Sequence, residues 1–301
     1  MKWQSAAISA LLLVAPHCAP ATEQQPGRTL VPGVLRIGTY FVNPPFEYLS
    51  KGKRVGFEID LINAIARQLH LRPLFVNTQW ETILQQMEEG RYDCIVGGIT
   101  ITAARQQLLA WSNPYMTTTL SVVVNSIRTP SILGLADLKE ATVGVQAATT
   151  DYNVAIGMQI RGEIKGVKVY PFDRFNDAIA DLAIGQIAAV MKVYPAAAWL
   201  ARHTPGLRIV AQIPHDPQPL GIGFGKNDPG LVAAANGALA KFKQDGSYTR
   251  LTKNGRCLEQ ELNRRARRAE RPALHLIRGA GVPDGRRGAP RRRRSARRGC
   301  V

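Results

Sequence analysis

Cysteine is almost absent: Cys18, Cys94, Cys257 and Cys300 are the only four among 301 residues, and their spacing excludes a paired-cysteine framework or a thiolate metal site. Histidine offers no substitute, because His17, His70, His203, His215 and His275 are scattered without ligand spacing. No metal or other cofactor is therefore expected. Long apolar runs are lacking as well; residues 6–15 fall far short of the roughly 20 residues that a membrane span needs. Acidic residues are scarce, 22 against 39 lysines and arginines, for a net charge of +17. Such a surplus points to polyanion binding when it is spread over a fold. Here it is local: residues 263–301 carry 14 arginines against Glu270 and Asp284, a net +12, which leaves +5 for everything before them.

A hydrophobic fraction of 45% supports a sizeable core in one or two domains. Residues 1–21 combine Lys2, the short apolar run and an Ala19-Pro20-Ala21 ending, the pattern of a cleaved signal peptide. Cleavage after Ala21 is preferred to lipid attachment at Cys18, because Ala15, Pro16 and His17 match the small-residue lipid-attachment pattern poorly. Residues 263–301, rich in Arg, Gly, Pro and Ala, have no apolar pattern and are expected to be disordered.

The chemistry concentrates in residues 93–115, DCIVGGITITAARQQLLAWSNPY. Cys94, Ile95 and Val96 predict a buried strand that ends in Gly97 and Gly98, where a ligand can approach the backbone. Thr102 stands where an N-cap belongs, and Arg105 falls in the first turn of the helix that follows. A cation there opposes the helix dipole, so Arg105 makes more sense as one arm of an anion site than as a dipole partner. A guanidinium grips a carboxylate bidentately.

Along the rest of the chain, strand and helix signals alternate twice. Strand 35–39 leads into a loop over residues 40–48, where Pro44 and Pro45 hold Phe46 in one place. Helix 56–70 buries Phe57, Leu61, Ile65 and Leu69, with Glu58 and Asp60 suiting the dipole in its first turn. Strand 74–77 precedes helix 80–89, which Trp80 opens and Gly90 stops. The β-branched run 120–125 begins a second series: strand 142–146, a tight loop, a helix capped by Thr150 or Asp151, strand 167–172, a helix ending at Gly185 and strand 187–193. Residues 220–224 return to the first series, and helix 228–242 buries Leu231, Ala235, Leu239 and Phe242. Aligning Gly90 with Gly185 sets Lys192 and Val193 opposite Gly97 and Gly98, so two strands are expected to end at one cleft. The pattern is that of an α/β protein of two lobes joined by two strands.

The runs RIGTYFVNPPFEY, GFEIDL, GGITITAARQQLLAWSNPY and GVQAATTDY, in that order, resemble the extracellular solute-binding proteins of family 3, the polar amino-acid receptors of bacterial ABC importers. The resemblance implies a two-lobed periplasmic-binding-protein-like fold of type II with two hinge crossings, the first along the run 120–125 and the return along residues 220–224. It divides the chain into lobe 1 (residues 34–121 and 220–262) and lobe 2 (residues 122–219, with the hinge strands), between the signal peptide 1–21 and the tail 263–301. It implies a monomer in the periplasm that captures a small carboxylate-bearing solute, such as an amino acid, and delivers it to the importer's membrane subunits. The expected ligand-binding residues are Phe46, Trp80, Gly98, Thr100, Arg105, Thr149, Thr150 and Lys192. Two departures stand out. Asn43 replaces an aromatic of the family's cleft wall, and Val193, with Lys192 beside it, stands where amino-acid-binding members carry an aspartate for the ligand's ammonium. The ligand is then either an amino acid held by an unusual acid, Glu47 or Asp151, or an acid whose second anionic group meets Lys192. Two other functions stay open: a cyclohexadienyl dehydratase on the same fold, with Glu47 or Asp151 as proton donor, and polyanion binding through the tail, though no specific nucleic-acid partner is expected.

Overall fold

The computed structural model describes residues 28–254, so the leader expected over residues 1–21 and the tail over residues 263–301 lie outside the described residues. Two five-stranded sheets form the frame. The first runs Arg72–Asn77, Val34–Thr39, Cys94–Ile95, Gly223–Phe224, Ala110–Trp111. The second runs Gly166–Tyr170, Thr142–Gln146, Ala189–Val193, Leu120–Asn125, Leu207–Gln212. In each, two parallel pairings are followed by two antiparallel ones, so that only the fourth strand runs against the other four.

The internal repeat is visible in the register. Ile37 and Gly38 pair with Cys94 and Ile95, and Val143 and Gly144 pair with Ala189 and Val190. The spacing from Cys94 to Ala189 equals that from Gly90 to Gly185, so Gly97 and Gly98, just past the first strand, occupy the places that Lys192 and Val193 take at the end of the second.

Each sheet is covered by its own apolar helices. In the first lobe Phe57, Leu61, Ile62 and Ile65 of helix Phe57–Gln68 meet Leu231, Ala235, Leu239 and Phe242 of helix Pro229–Gln244 over Leu35, Ile37 and Phe224. In the second, Val122, Val124, Val143, Val145 and Met191 pack against Ala155 and Met158 of helix Thr150–Ile160. Burying each such side chain is worth roughly 1.5–3 kcal/mol, which makes the sheets firm supports for whatever projects from their ends.

The crossings lie nearer the first lobe than the sequence suggests. Met116–Thr118 and Gln218–Leu220 form a two-stranded antiparallel ribbon, whereas Leu120–Asn125 is an interior strand of the second sheet and Gly223–Phe224 already belongs to the first. Its unbroken β-branched run reflects burial on both faces, not passage between lobes. The region read as a loop, residues 40–48, instead contributes to a small sheet of Val42–Asn43, Glu47–Ser50 and Lys53–Val55.

Candidate functional site

The carboxyl ends of both sheets face one small cavity of about 30 Å³, lined from one side by Tyr40, Asn43, Trp80, Gly97, Gly98, Thr100 and Arg105. From the other side it is lined by Thr149, Thr150, Asp151, Phe172, Lys192 and Val193. Seven of the eight residues expected at the site from the sequence are therefore gathered here. Phe46 is not: it is fully buried in the first lobe's core, directly beneath Gly98. Holding it in one place makes it a support for the floor of the site, not a wall of it.

That floor is built with care for its backbone. Gly98 has φ +63°, and a Cβ added to it would come within 3.0 Å of the Phe46 ring and 3.2 Å of Asn43 Nδ2. Its amide donates to Glu58 Oε2 at 2.9 Å, and the Tyr115 hydroxyl donates to the other oxygen of the same carboxylate. Glu58 is fully buried. The dipole role assigned to it from sequence is thus too small: it ties the cavity floor to the helix behind it. Gly97 presents its carbonyl to Tyr40 Oη at 2.5 Å and to Asn43 Nδ2 at 3.3 Å. Gly98→Ala is expected to cost about 1–2 kcal/mol through its left-handed backbone alone, lowering Tm by several degrees in thermal unfolding; an unchanged Tm would contradict the account of the floor.

Arg105 enters from the short helix Ala103–Leu108, whose first turn Thr102 caps by accepting from the Arg105 amide at 3.2 Å. Its guanidinium donates to the Thr100 carbonyl at 2.8 Å, lies over the Trp80 ring at 5.1 Å and reaches Ala148 O of the other lobe at 3.3 Å. Thr100 acts through its backbone here, because its hydroxyl donates to Gln218 Oε1 in the crossing ribbon at 3.1 Å. Burial pushes the Arg105 pKa down, partly offset by Tyr40 and Asp151. A half-buried cation with guanidinium N–H groups to spare beyond these two bonds is suited to receive an anion. Trp80 serves both as wall and as tie, its indole N–H donating across the cavity to Ala147 O at 3.0 Å. Glu81 Oε1 accepts from the Phe172 amide at 3.2 Å, adding a third contact between the lobes.

On the far side, helix Thr150–Ile160 is capped by Thr149, not by Thr150 or Asp151: the Thr149 hydroxyl donates to Gln146 O at 2.6 Å and accepts from the Tyr152 amide at 3.3 Å. The tight turn that delivers it holds Ala148 at φ +59°, a conformation L residues avoid. Ala148→Gly is expected to raise stability by about 0.5–1 kcal/mol, less than the full strain because glycine also loosens the unfolded chain. Thermal unfolding checks this, and a lowered Tm would count against strain at Ala148.

Lys192 projects from the end of Ala189–Val193 into the wall and is 6% exposed. Its ammonium donates to Gln146 Oε1, whose own amide donates to Phe172 O at 2.5 Å, and it lies 4.7 Å from the Phe175 ring centroid and 5.4 Å from that of Phe172. Strand alternation does not turn it to solvent. Burial pushes its pKa down while Asp151 and Glu47 pull it back up. Burial likewise pushes the Asp151 carboxyl up, and Lys192 opposes that shift. Burial, and next to it Glu58, hold the Glu47 carboxyl well above the usual carboxylate range, and Glu47 lies outside the cavity lining.

Phe172 was not anticipated from sequence. It follows Pro171 at the end of a strand and stacks on Trp80 at 5.2 Å and edge-on to Tyr40 at 4.7 Å, so it replaces some of the aromatic wall that Asn43 lacks. The only warning was an aromatic after a proline at a strand's carboxyl end. Among the described residues no cluster of side chains is arranged to hold a metal ion.

A model of the bacterial extracellular solute-binding proteins, family 3, matches residues 35–254. The ABC transporter arginine-binding protein 1 of Escherichia coli (strain K12) is 26% identical over 223 residues, 72% of this chain and 88% of that protein. Among solved structures, an ancestral arginine-binding protein bound to arginine aligns with TM-score 0.68 and 31% identity, covering 75% of this chain and 99% of the other. An ancestral amino-acid-binding protein described as a precursor of cyclohexadienyl dehydratase aligns with TM-score 0.65 and 30% identity, covering 74% and 94%.

Proposed function

Because this chain belongs to the bacterial extracellular solute-binding proteins of family 3, we propose that it is the periplasmic receptor of an ABC importer, capturing an amino acid or related small carboxylate by closure of its lobes. The observation that carries this reading is Arg105, half-buried at the cavity wall with its guanidinium held by Thr100 O and the Trp80 ring. The cavity is small because Trp80, Arg105 and Glu81 bridge it to Ala147, Ala148 and Phe172. Entry of a solute then requires those bridges to open, and its binding competes for the same side chains when they close. The importer's membrane subunits are the partner, the receptor acts as a monomer, and the basic segment over residues 263–301 is separate from solute capture.

We read the chain as a carrier that performs no covalent chemistry. A dehydratase would need a positioned proton donor, and of the two acids considered only Asp151 lines the cavity. A thermal-shift screen of amino acids and organic acids tests the receptor, since a ligand of the folded state raises Tm. Incubation with prephenate and arogenate tests the enzyme. Release of phenylpyruvate or phenylalanine would replace the carrier reading, and a screen without any Tm rise would sink it.

A further inference from the structure

The cavity lining offers an uneven set of groups. Arg105 and Lys192 are its cations and Asp151 is its carboxylate. At the Lys192 end, one ammonium N–H is used on Gln146 Oε1, which leaves further donors on that group. Asp151 is 4% exposed, and its Oδ2 has no hydrogen-bond partner. Two of the neighbouring carbonyls are already engaged: Gly97 O takes Tyr40 and Asn43, and Thr100 O takes Arg105. That end of the cavity therefore presents an N–H donor of positive charge beside an orphaned carboxylate acceptor.

We propose that the solute is a small 2-hydroxy monocarboxylate, its carboxylate on Arg105 and its hydroxyl donating to Asp151 Oδ2 while accepting from Lys192 Nζ. This deepens, and rests on, the reading of the chain as a receptor for a carboxylate. A hydroxyl is both donor and acceptor and satisfies both groups. An ammonium is a donor only and sets a second cation against Lys192. An oxo group is an acceptor only and leaves Asp151 Oδ2 unsatisfied. A second carboxylate faces Asp151. Charge points the same way: two cations against one carboxylate in the lining leave a single positive charge, which a monoanion offsets and a zwitterion does not. The walls formed by Trp80, Phe172 and Val193 favour an apolar remainder.

Calorimetry of the full chain with matched triads tests this. One triad is lactate, alanine and pyruvate; the other is 2-hydroxy-3-methylbutanoate, valine and 3-methyl-2-oxobutanoate. The hydroxy acid of at least one triad is expected to bind at least tenfold more tightly than its amino and oxo counterparts. Val193→Asp, which adds a carboxylate to the cavity wall, is expected to move the ratio of hydroxy-acid to amino-acid affinity tenfold or more toward the amino acid. An amino or oxo acid bound as well as its hydroxy counterpart by the unaltered chain overturns the inference and leaves carboxylate capture standing, as does a ratio that Val193→Asp does not move. Absence of binding by every member overturns the inference, while carboxylate capture stands or falls on the wider thermal-shift screen.

Discussion

Arg105→Ala is expected to weaken solute binding by about 100- to 1,000-fold while leaving the fold of the unliganded protein nearly as stable as before. Two charge-assisted bonds to a carboxylate, each worth about 1.5–2 kcal/mol, account for a loss of that size. The truncation also removes the bond to Ala148 O and the stacking on Trp80, so part of the loss comes from a less favourable closed state. Stability behaves differently. Burial lowers the Arg105 pKa, which means the folded state holds this cation less willingly than water does, and removing it relieves that burden. The stability of the unliganded protein should therefore change by no more than about 1 kcal/mol, which moves Tm by roughly 2–4 °C for a fold of this length. Arg105→Lys keeps the charge but not the planar fork and should recover only a minor part of the affinity. Calorimetry with the tightest solute from the screen decides it: equal affinity in Arg105→Ala and the unaltered chain would remove the carboxylate from the site.

Much of this arrangement was legible before any coordinates because the fold repeats itself. A glycine ending a helix, a short buried strand and a cleft-facing terminus recur from Gly90 and from Gly185, and the strand pairings preserve that spacing. Two sheets that end at one place bring Gly97, Gly98, Lys192 and Val193 together whatever the intervening loops do. Arg105 was legible for a different reason: a cation in a first helical turn conflicts with the dipole, and such conflicts concentrate at sites. Phe46 misled because proline before it implies a fixed position without saying which side of the backbone it occupies. Glu58 was hidden by a sufficient local explanation. A first-turn acid has a reason to be where it is, and its partners Gly98 and Tyr115 lie 40 and 57 residues away. The run at Leu120–Asn125 was misplaced because burial on both faces and passage between lobes produce the same β-branched pattern.

Closure follows from the same geometry. Trp80 and Arg105 reach carbonyls in the turn before helix Thr150–Ile160, and Glu81 reaches the amide of Phe172. All three first-lobe groups meet backbone atoms of the second. Backbone partners do not change with substitution, so side-chain replacements at Ala147 or Ala148 leave the bridges available. Tuning of closure falls instead to the groups that can lose their charge or ring: Arg105, Trp80 and Glu81.

Lys192→Met should destabilise the protein by about 3 kcal/mol at neutral pH, because it removes a buried cation whose charge favours the buried Asp151 carboxylate and leaves that carboxylate only the attraction of Arg105. The penalty should depend on pH in a definite direction. Burial already raises the Asp151 pKa in the folded state, and loss of Lys192 removes the cation that holds it down. The folded state then binds a proton more tightly than the unfolded chain, so the stability this contributes is complete below the ordinary aspartate range and is lost as pH rises through the folded pKa. The destabilisation should accordingly be smaller near pH 5 than near pH 8. Glu47, the other carboxyl that Lys192 acts on, is likewise raised by burial and by Glu58 and loses the same opposing cation, so its change has the same sign. The Gln146 amide loses its donor in the same variant and contributes a part that does not depend on pH. Adding Asp151→Asn removes the unpaired charge, and the double variant should recover most of the lost stability, since a buried pair replaced on both sides is close to neutral. Denaturant unfolding of the unaltered chain, both single variants and the double variant at the two pH values measures the coupling. If Lys192→Met were equally destabilised at both, or if Asp151→Asn added to its loss, the two side chains would not be a pair, and the charge count that selects a monoanionic solute would fail with it.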